Sequence, residues 1–372
     1  MKFTANKAEL LGPLDALRAI AEKKSTIPVL GNILIDAGSD ANGRPLLTLT
    51  STDLDVSLRL PVAAEITEPG AGGINGVKFF EMIKLMPDQI AISFESEPDG
   101  HQLTIKCAKA RYRVSMVRPD AFPEIATPAG LEFFHIASAD WCEAVAAVAS
   151  AMTKEESRYA LNGAKFELEC DKYRLIATDG HRLHFAEVIN AGAAADFDPM
   201  SALIPYKALI ESARLAETGD LEVAFGEKIF FRVGAAVMSS RLLSGQFPNY
   251  ELVLPSGDAH EILIDPRIIG RMTRRVALMA DERSHAVRFT TGDGQIIIDA
   301  QSSDSGESSD AIGTDFDLTP ALVNGFNAKY VQDALTGESA TLRIQKVKDK
   351  AVEVVRSSEN IQFRFAIMPM RL

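Results

Sequence analysis

At 372 residues, with 47% apolar and 24% charged side chains, the chain is too long for a single core and too apolar for a disordered scaffold. A formal net charge of -12 excludes a protein that coats nucleic acid by bulk attraction, because phosphate binding rewards net positive charge, so any basic surface must be local. No apolar run reaches the ~18 residues of a membrane helix, and the N-terminus lacks the apolar stretch of a signal peptide. A cytoplasmic protein without a membrane partner is expected.

The first predicted elements are a short apolar strand and a helix within FTANKAELLGPLDALRAIAE (3–22). Apolar residues there recur at spacings of three and four, and Pro13 is tolerable only near the helix start or at a kink. Alternating strands lead to a second short helix in VKFFEMIKLM (77–86), and period-two alternation in ARYRVSMVR (110–118) predicts more strand. Glycine and proline cluster around Gly130, and the same order restarts. FFHIASADWCEAVAAVASAM (133–152) gives strand and helix with Asp140 as N-cap, PYKALIESARLAE (205–217) the second helix, and EKIFFRVGAAVMSSRLL (227–243) the closing strands. A second boundary near Gly257 introduces the third pass. It runs through EILIDPRIIGRMTRRVALMA (261–280) with Asp265 as N-cap, NAKYVQDALTG (327–337) and AVEVVRSSENIQFRFAIM (351–368).

Two landmarks fix the period. Thr52-Asp53 recurs 126 residues later as Thr178-Asp179, and Phe122-Pro123 recurs 125 residues later as Phe247-Pro248. The expectation is an α+β protein of three repeated domains, 1–130, 131–258 and 259–372, each with two helices and antiparallel sheets. Helices are too few to supply a crossover for every parallel strand pair.

The three cysteines, Cys107, Cys142 and Cys170, form no Cys-x-x-Cys pair and read as ordinary buried thiols. No phosphate-binding glycine loop, Gly-x-Ser-x-Gly elbow or His-Glu-x-x-His is present, so neither a cofactor nor a metal is expected. His181 and His184 would face opposite sides of a strand, which argues against joint ligation. The densest polar cluster is ATDGHRL, residues 177–183. Asp179 and His181 could form an acid/base pair, but Gly and Asp are equally at home in a tight turn, and the repeat of Thr-Asp in the first domain favours a structural role. On the third domain's first helix, Arg267, Arg271, Arg274 and Arg275 span about a quarter of the circumference, while Ile268, Ile269, Met272, Val276 and Met279 gather on another sector. That stripe reads either as a solvated face or as a sequence-independent phosphate contact.

With the repeat, the segments IPVLGNILI (27–35), RYALNG (158–163), ATDGHRL, FPNY (247–250) and MPMRL (368–372) make the chain resemble the bacterial replicative sliding clamp, the beta subunit of DNA polymerase III. The resemblance runs from end to end. It implies a non-catalytic head-to-tail homodimer, a closed ring of six domains that encircles duplex DNA and tethers the polymerase. The arginine stripe then belongs to the ring lining with Lys24, Arg158 and Tyr159. It implies a pocket for short partner peptides at Leu161, Thr178, Gly180, His181, Arg182, Leu183, Pro248, Val253, Asn327, Tyr330, Met368, Pro369, Met370 and Arg371. There apolar side chains would bury a peptide anchor, while Arg or His would fix backbone carbonyls or a glutamine. Implied partners are the polymerase III catalytic subunit, the clamp loader, other polymerases and repair factors. For the dimer seam the resemblance implies Tyr112 and Val114 against Leu278 and Met279, with Lys109 and Arg111 facing Asp304, Glu307 or Asp310. Glu251 and Leu252 depart from the family where a basic residue is common, as does Ala160 where a second tyrosine occurs. The competing readings are a peptide-binding scaffold that never meets DNA and an enzyme using Asp179 and His181.

Overall fold

A computed structural model describes residues 1–371 except 22–26, 41, 99, 154, 190–197, 255–258, 317 and 346–349. It contains helices α1 (Lys7–Ile20), α2 (Gly76–Lys84), α3 (Ser138–Ala149), α4 (Tyr206–Ala216), α5 (Pro266–Val276) and α6 (Ala328–Ala334). Each predicted pair of helices is present in order, and every strand pairing between named strands is antiparallel. Asp265 caps α5 by accepting the Arg267 N–H, as its position predicts. Asp140 does not cap α3; the helix begins at Ser138, so Asp140 lies in its first turn, where a carboxylate favours the positive end of the helix dipole. α1 runs through Pro13, which leaves the Glu9 carbonyl without its intrahelical donor.

The chain divides into two compact units, Met1–Ser138 with Lys207–Leu242, and Ala139–Tyr206 with Leu243–Leu372. The units cut across the middle repeat because each contains an eight-stranded sheet shared by two repeats. In the first unit the strand Ala236–Arg241 pairs with Val56–Val62, joining four strands of the middle repeat to four of the first. In the second, Arg182–Ile189 pairs with Ile361–Ile367 in the same way.

In the first unit α1 buries Leu10, Leu14, Leu17 and Ile20. It packs on the strands Pro45–Thr52 and Val56–Val62 and against α2. The smaller sheet of this unit has five strands and ends on the strand Ala110–Ser115. Phe3 stacks on Phe94 at 4.4 Å at its centre.

In the second unit Trp141 of α3 is fully buried against Phe166 and Tyr173 of the eight-stranded sheet. Glu353, also fully buried, lies between Arg343 and Arg364 on the two neighbouring strands. The smaller sheet has four strands and ends on Gly306–Gly313. α5 turns Ile269, Met272, Thr273 and Val276 inward and packs on α6.

Candidate functional site

ATDGHRL is a tight turn held by its own first two polar side chains. Thr178 Oγ1 donates to the Arg182 carbonyl and accepts the Gly180 N–H, while Asp179 Oδ1 accepts the N–H groups of His181 and Arg182. In the first unit Thr52 and Asp53 make the same four bonds to Val56, Leu54, Asp55 and Val56. The residue after Asp is left-handed in both turns, with φ of 80° at Leu54 and 90° at Gly180. Asp179 therefore has its carboxylate occupied by backbone amides and by Arg182 Nε at 3.0 Å. No acid/base pair forms with the His181 ring, which lies exposed beside Tyr330.

Arg182 departs from the expectation of a peptide-gripping guanidinium. Its side chain is buried, pairs with Asp179 and Asp333, donates to the Ser150 carbonyl and stacks 4.4 Å over Tyr330. Its donors are spent inside the protein, tying the turn to the end of α3 and to α6. Asn327 is likewise engaged, capping α6 and donating to the Ser284 carbonyl at 3.1 Å.

The terminal segment lies against the same turn. Met368 N–H donates to the His181 carbonyl at 3.0 Å, and Met370 N–H to the Gly325 carbonyl at 2.8 Å. This leaves Met368 41% exposed, Pro369 half-buried and Arg371 exposed. Beside them, Leu183 belongs to a buried cluster with Ile176, Phe185, Phe247, Tyr250 and Leu254, on which Leu161 packs. Pro248 and Val253 lie at its exposed margin, and Leu252 is 84% exposed. The proposed pocket residues thus fall on one unit and divide into an apolar floor, an exposed rim and a hydrogen-bonded frame.

Several residues outside the expected pocket set complete that frame. Tyr250 rests on Phe185 and donates to Glu167 Oε2 at 2.7 Å. Burial and that bond push the phenol pKa well up. Burial pushes the Glu167 carboxyl up, but the bonds from Lys165 and Tyr250 outweigh it and hold the group below its usual range. Asp333 is invisible in a local pattern because its partner is 151 residues away. His184, fully buried, contacts the Ala147 carbonyl through Nδ1 at 2.8 Å and meets Phe365 edge-on. Burial lowers its pKa to about 4.

On α5 all four arginines are exposed, but they are not equivalent. Arg267 pairs with Asp265 and Glu338, and Arg275 with Asp310. Arg271 and Arg274 have no ion pair among the described residues. Arg158 donates to the Asp179 carbonyl at 2.7 Å, and Tyr159 is 54% exposed next to it. Lys24 lies outside the described residues.

The proposed seam residues occupy free sheet edges. Arg111 is exposed and Tyr112 and Val114 half-buried on the edge strand Ala110–Ser115, with Lys109 exposed just before it. Glu307 and Asp310 lie on the other edge strand, Gly306–Gly313, with Asp304 in the turn before it. Leu278, 76% exposed, and Met279 stand beside that strand in a short 3-10 turn. Asp310 is already engaged by Arg275, whereas Asp304 and Glu307 have no ion pair among the described residues.

Among the described residues no helix is long and apolar enough to cross a membrane, and no group of three or more His, Cys, Asp or Glu could hold a metal. Three passes of one α+β plan, with sheets shared between neighbouring repeats, define a tandem-repeat protein. Family models described as the N-terminal, central and C-terminal domains of the DNA polymerase III beta subunit match residues 1–126, 135–249 and 251–371. Beta sliding clamps from Caulobacter vibrioides and Escherichia coli K12 are 27% and 28% identical, with 100% of each chain covered. A solved sliding clamp from Pseudomonas aeruginosa, bound to griselimycin, matches with a TM-score of 0.90 at 28% identity over 100% of both chains. The chain belongs to the DNA polymerase III beta subunit family, the sliding clamps.

Proposed function

We propose that two copies of this chain close head to tail into a six-domain ring that encircles duplex DNA and tethers the replicative polymerase. The supporting observation is the pattern of sheet edges. Two sheets run to eight strands by crossing from one repeat to the next, while the remaining five- and four-stranded sheets end on Ala110–Ser115 and Gly306–Gly313. The first edge carries Lys109 and Arg111, and the second Asp304 and Glu307. Pairing these unlike edges between two chains would continue the same construction and leave neither exposed.

On this reading the three repeats, with boundaries near residues 130 and 258, are clamp domains. Retention is topological, which reconciles a charge of -12 with DNA as partner. Arg271 and Arg274 supply mobile phosphate contacts, and Lys24, Arg158 and Tyr159 add to the lining. The groove formed by Leu161, Leu183, Pro248, Val253, Met368 and Met370, framed by the Thr178 to Arg182 turn, Asn327 and Tyr330, takes short peptides from the catalytic subunit, the clamp loader and repair factors in turn. The protein transforms nothing and works in the cytoplasm.

The decisive experiment measures mass in solution and then retention on DNA. A dimer that stays on circular DNA through high salt but leaves linear DNA is expected. Salt-labile binding indifferent to DNA ends would overturn the reading.

A further inference from the structure

An open cleft of about 290 Å3 in the first unit lies under the Phe122-Pro123 strap. Its counterpart in the second unit is filled, and the strand registers identify the filler. With Thr52 equivalent to Thr178, Thr50 corresponds to Ile176 and Thr48 to Arg174. Asp36 stands opposite Thr48 as Glu167 stands opposite Arg174. The pairs Thr52↔Ser57 and Thr178↔Leu183 make Arg59 the equivalent of Phe185. The 125-residue offset of the strap makes Ile125 the equivalent of Tyr250.

In the second unit the Tyr250 ring lies 6.1 Å from Phe185, and its hydroxyl donates to Glu167. The first unit has isoleucine where that ring originates, and the cleft remains. It is lined by Leu34, Asp36, Thr48, Thr50 and Arg59 on the sheet and by Phe122, Ile125 and the exposed Glu124 on the strap. The side chains of Asp36 and Arg59 make no hydrogen bond or ion pair among the described residues, and Thr48 and Thr50 are buried. An acceptor is thus present in the position that, in the sibling, meets the phenol hydroxyl, and a cation in the position of Phe185, whose ring packs beside that phenol.

We propose that this cleft binds the tyrosine side chain of a partner peptide, the phenol donating to Asp36 and the ring lying against the Arg59 guanidinium. The occupant is a tyrosine on a peptide backbone because that is what fills the equivalent space in the second unit. The inference rests on the internal repeat and is independent of the groove proposed above.

The test uses the full-length chain with labelled methyl groups and two amidated pentapeptides, Ala-Ala-Tyr-Ala-Ala and its phenylalanine analogue. Saturable shifts at Leu34 and Ile125 are expected, with the tyrosine peptide bound about tenfold more tightly, the effect of one hydrogen bond to a charged group. Asp36→Ala should erase that preference. Ile125→Tyr, which supplies the ring from within, should abolish binding and raise the melting temperature. Equal binding of the two peptides, no methyl shift at millimolar peptide, or binding that survives Ile125→Tyr would overturn the proposal. Free p-cresol binding as tightly as the peptide would overturn the claim that the partner is a peptide.

Discussion

Thr178 and Asp179 act as Thr52 and Asp53 do: each pair spends its oxygens on closing a turn. The cation that satisfies the second aspartate oxygen differs in origin. Arg182 reaches Asp179 from within the turn and also holds the Ser150 carbonyl, whereas Lys207 reaches Asp53 from α4 and holds the Ile20 carbonyl at 2.9 Å. The two turns thus solve the same problem with cations at unrelated sequence positions, so the part of ATDGHRL that is not repeated is less specialised than it reads. Asp179→Ala and Asp53→Ala should each cost about 2 kcal/mol in denaturant unfolding, by orphaning two amides and one cation. His181→Ala, at an exposed position, should stay within about 0.5 kcal/mol. His184 makes a pH prediction. Folded, it stays neutral down to about pH 4, while unfolded it takes up a proton near 6.5. Its contribution is therefore complete above pH 6.5 and is lost as pH falls from there to about 4, in total about 3 kcal/mol. Comparing unfolding free energies of the wild type and His184→Leu across that window should show a difference slope of about one proton. Parallel curves would refute it.

At the scale of elements, helices were legible because apolar spacing is local. The stripe on α5 shows the limit of that legibility: its four arginines look alike on a helical projection, yet two are neutralised by acids at Asp265 and Asp310, the latter 35 residues away. Arg271→Ala and Arg274→Ala should each reduce the salt dependence of DNA binding by about one counterion, measured by titration from low to moderate salt. Arg275→Ala should change it less, since Asp310 already cancels that charge. Of the residues proposed for the groove, the resemblance supplies the rim and, of the floor, Leu161 and Leu183. Met368, Pro248 and Val253 could be carried over from a resemblance, but Phe185, Tyr250 and Asp333 act through partners brought in by strand register and by distant helices. The triad at Glu353 was unreadable for the same reason, since a lone glutamate in VEVV gives no hint of two flanking arginines. Glu353→Ala should cost about 3 kcal/mol, because it takes the buried carboxylate away from the Arg343 and Arg364 guanidinium groups. Chemical denaturation measures that cost directly.

For the whole molecule the question is which edges pair. The sequence period suggests three similar domains in a row, and the strand order adds that sheets cross the repeat boundaries, so each repeat completes its neighbour's sheet. A chain built this way ends with one basic edge, at Lys109 and Arg111, and one acidic edge, at Asp304 and Glu307. Head-to-tail closure makes a specific prediction about charge reversal. Lys109→Glu with Arg111→Glu gives a chain with two acidic edges, and Asp304→Lys with Glu307→Lys gives one with two basic edges. Each variant alone should dissociate, its dimer constant weakened by about 3 kcal/mol or roughly a hundredfold per seam. Mixed in equal amounts they should form a heterodimer, because both of its seams then join unlike charges, and the chain carrying all four substitutions should dimerise with itself. Sedimentation equilibrium of the four samples distinguishes this arrangement from a symmetric one. If like edges met across a two-fold axis, reversing one edge would leave like charges facing each other as in the parent, and each doubly substituted chain would dimerise as the parent does. Dimers that persist in either doubly substituted chain alone would show that these edges do not meet.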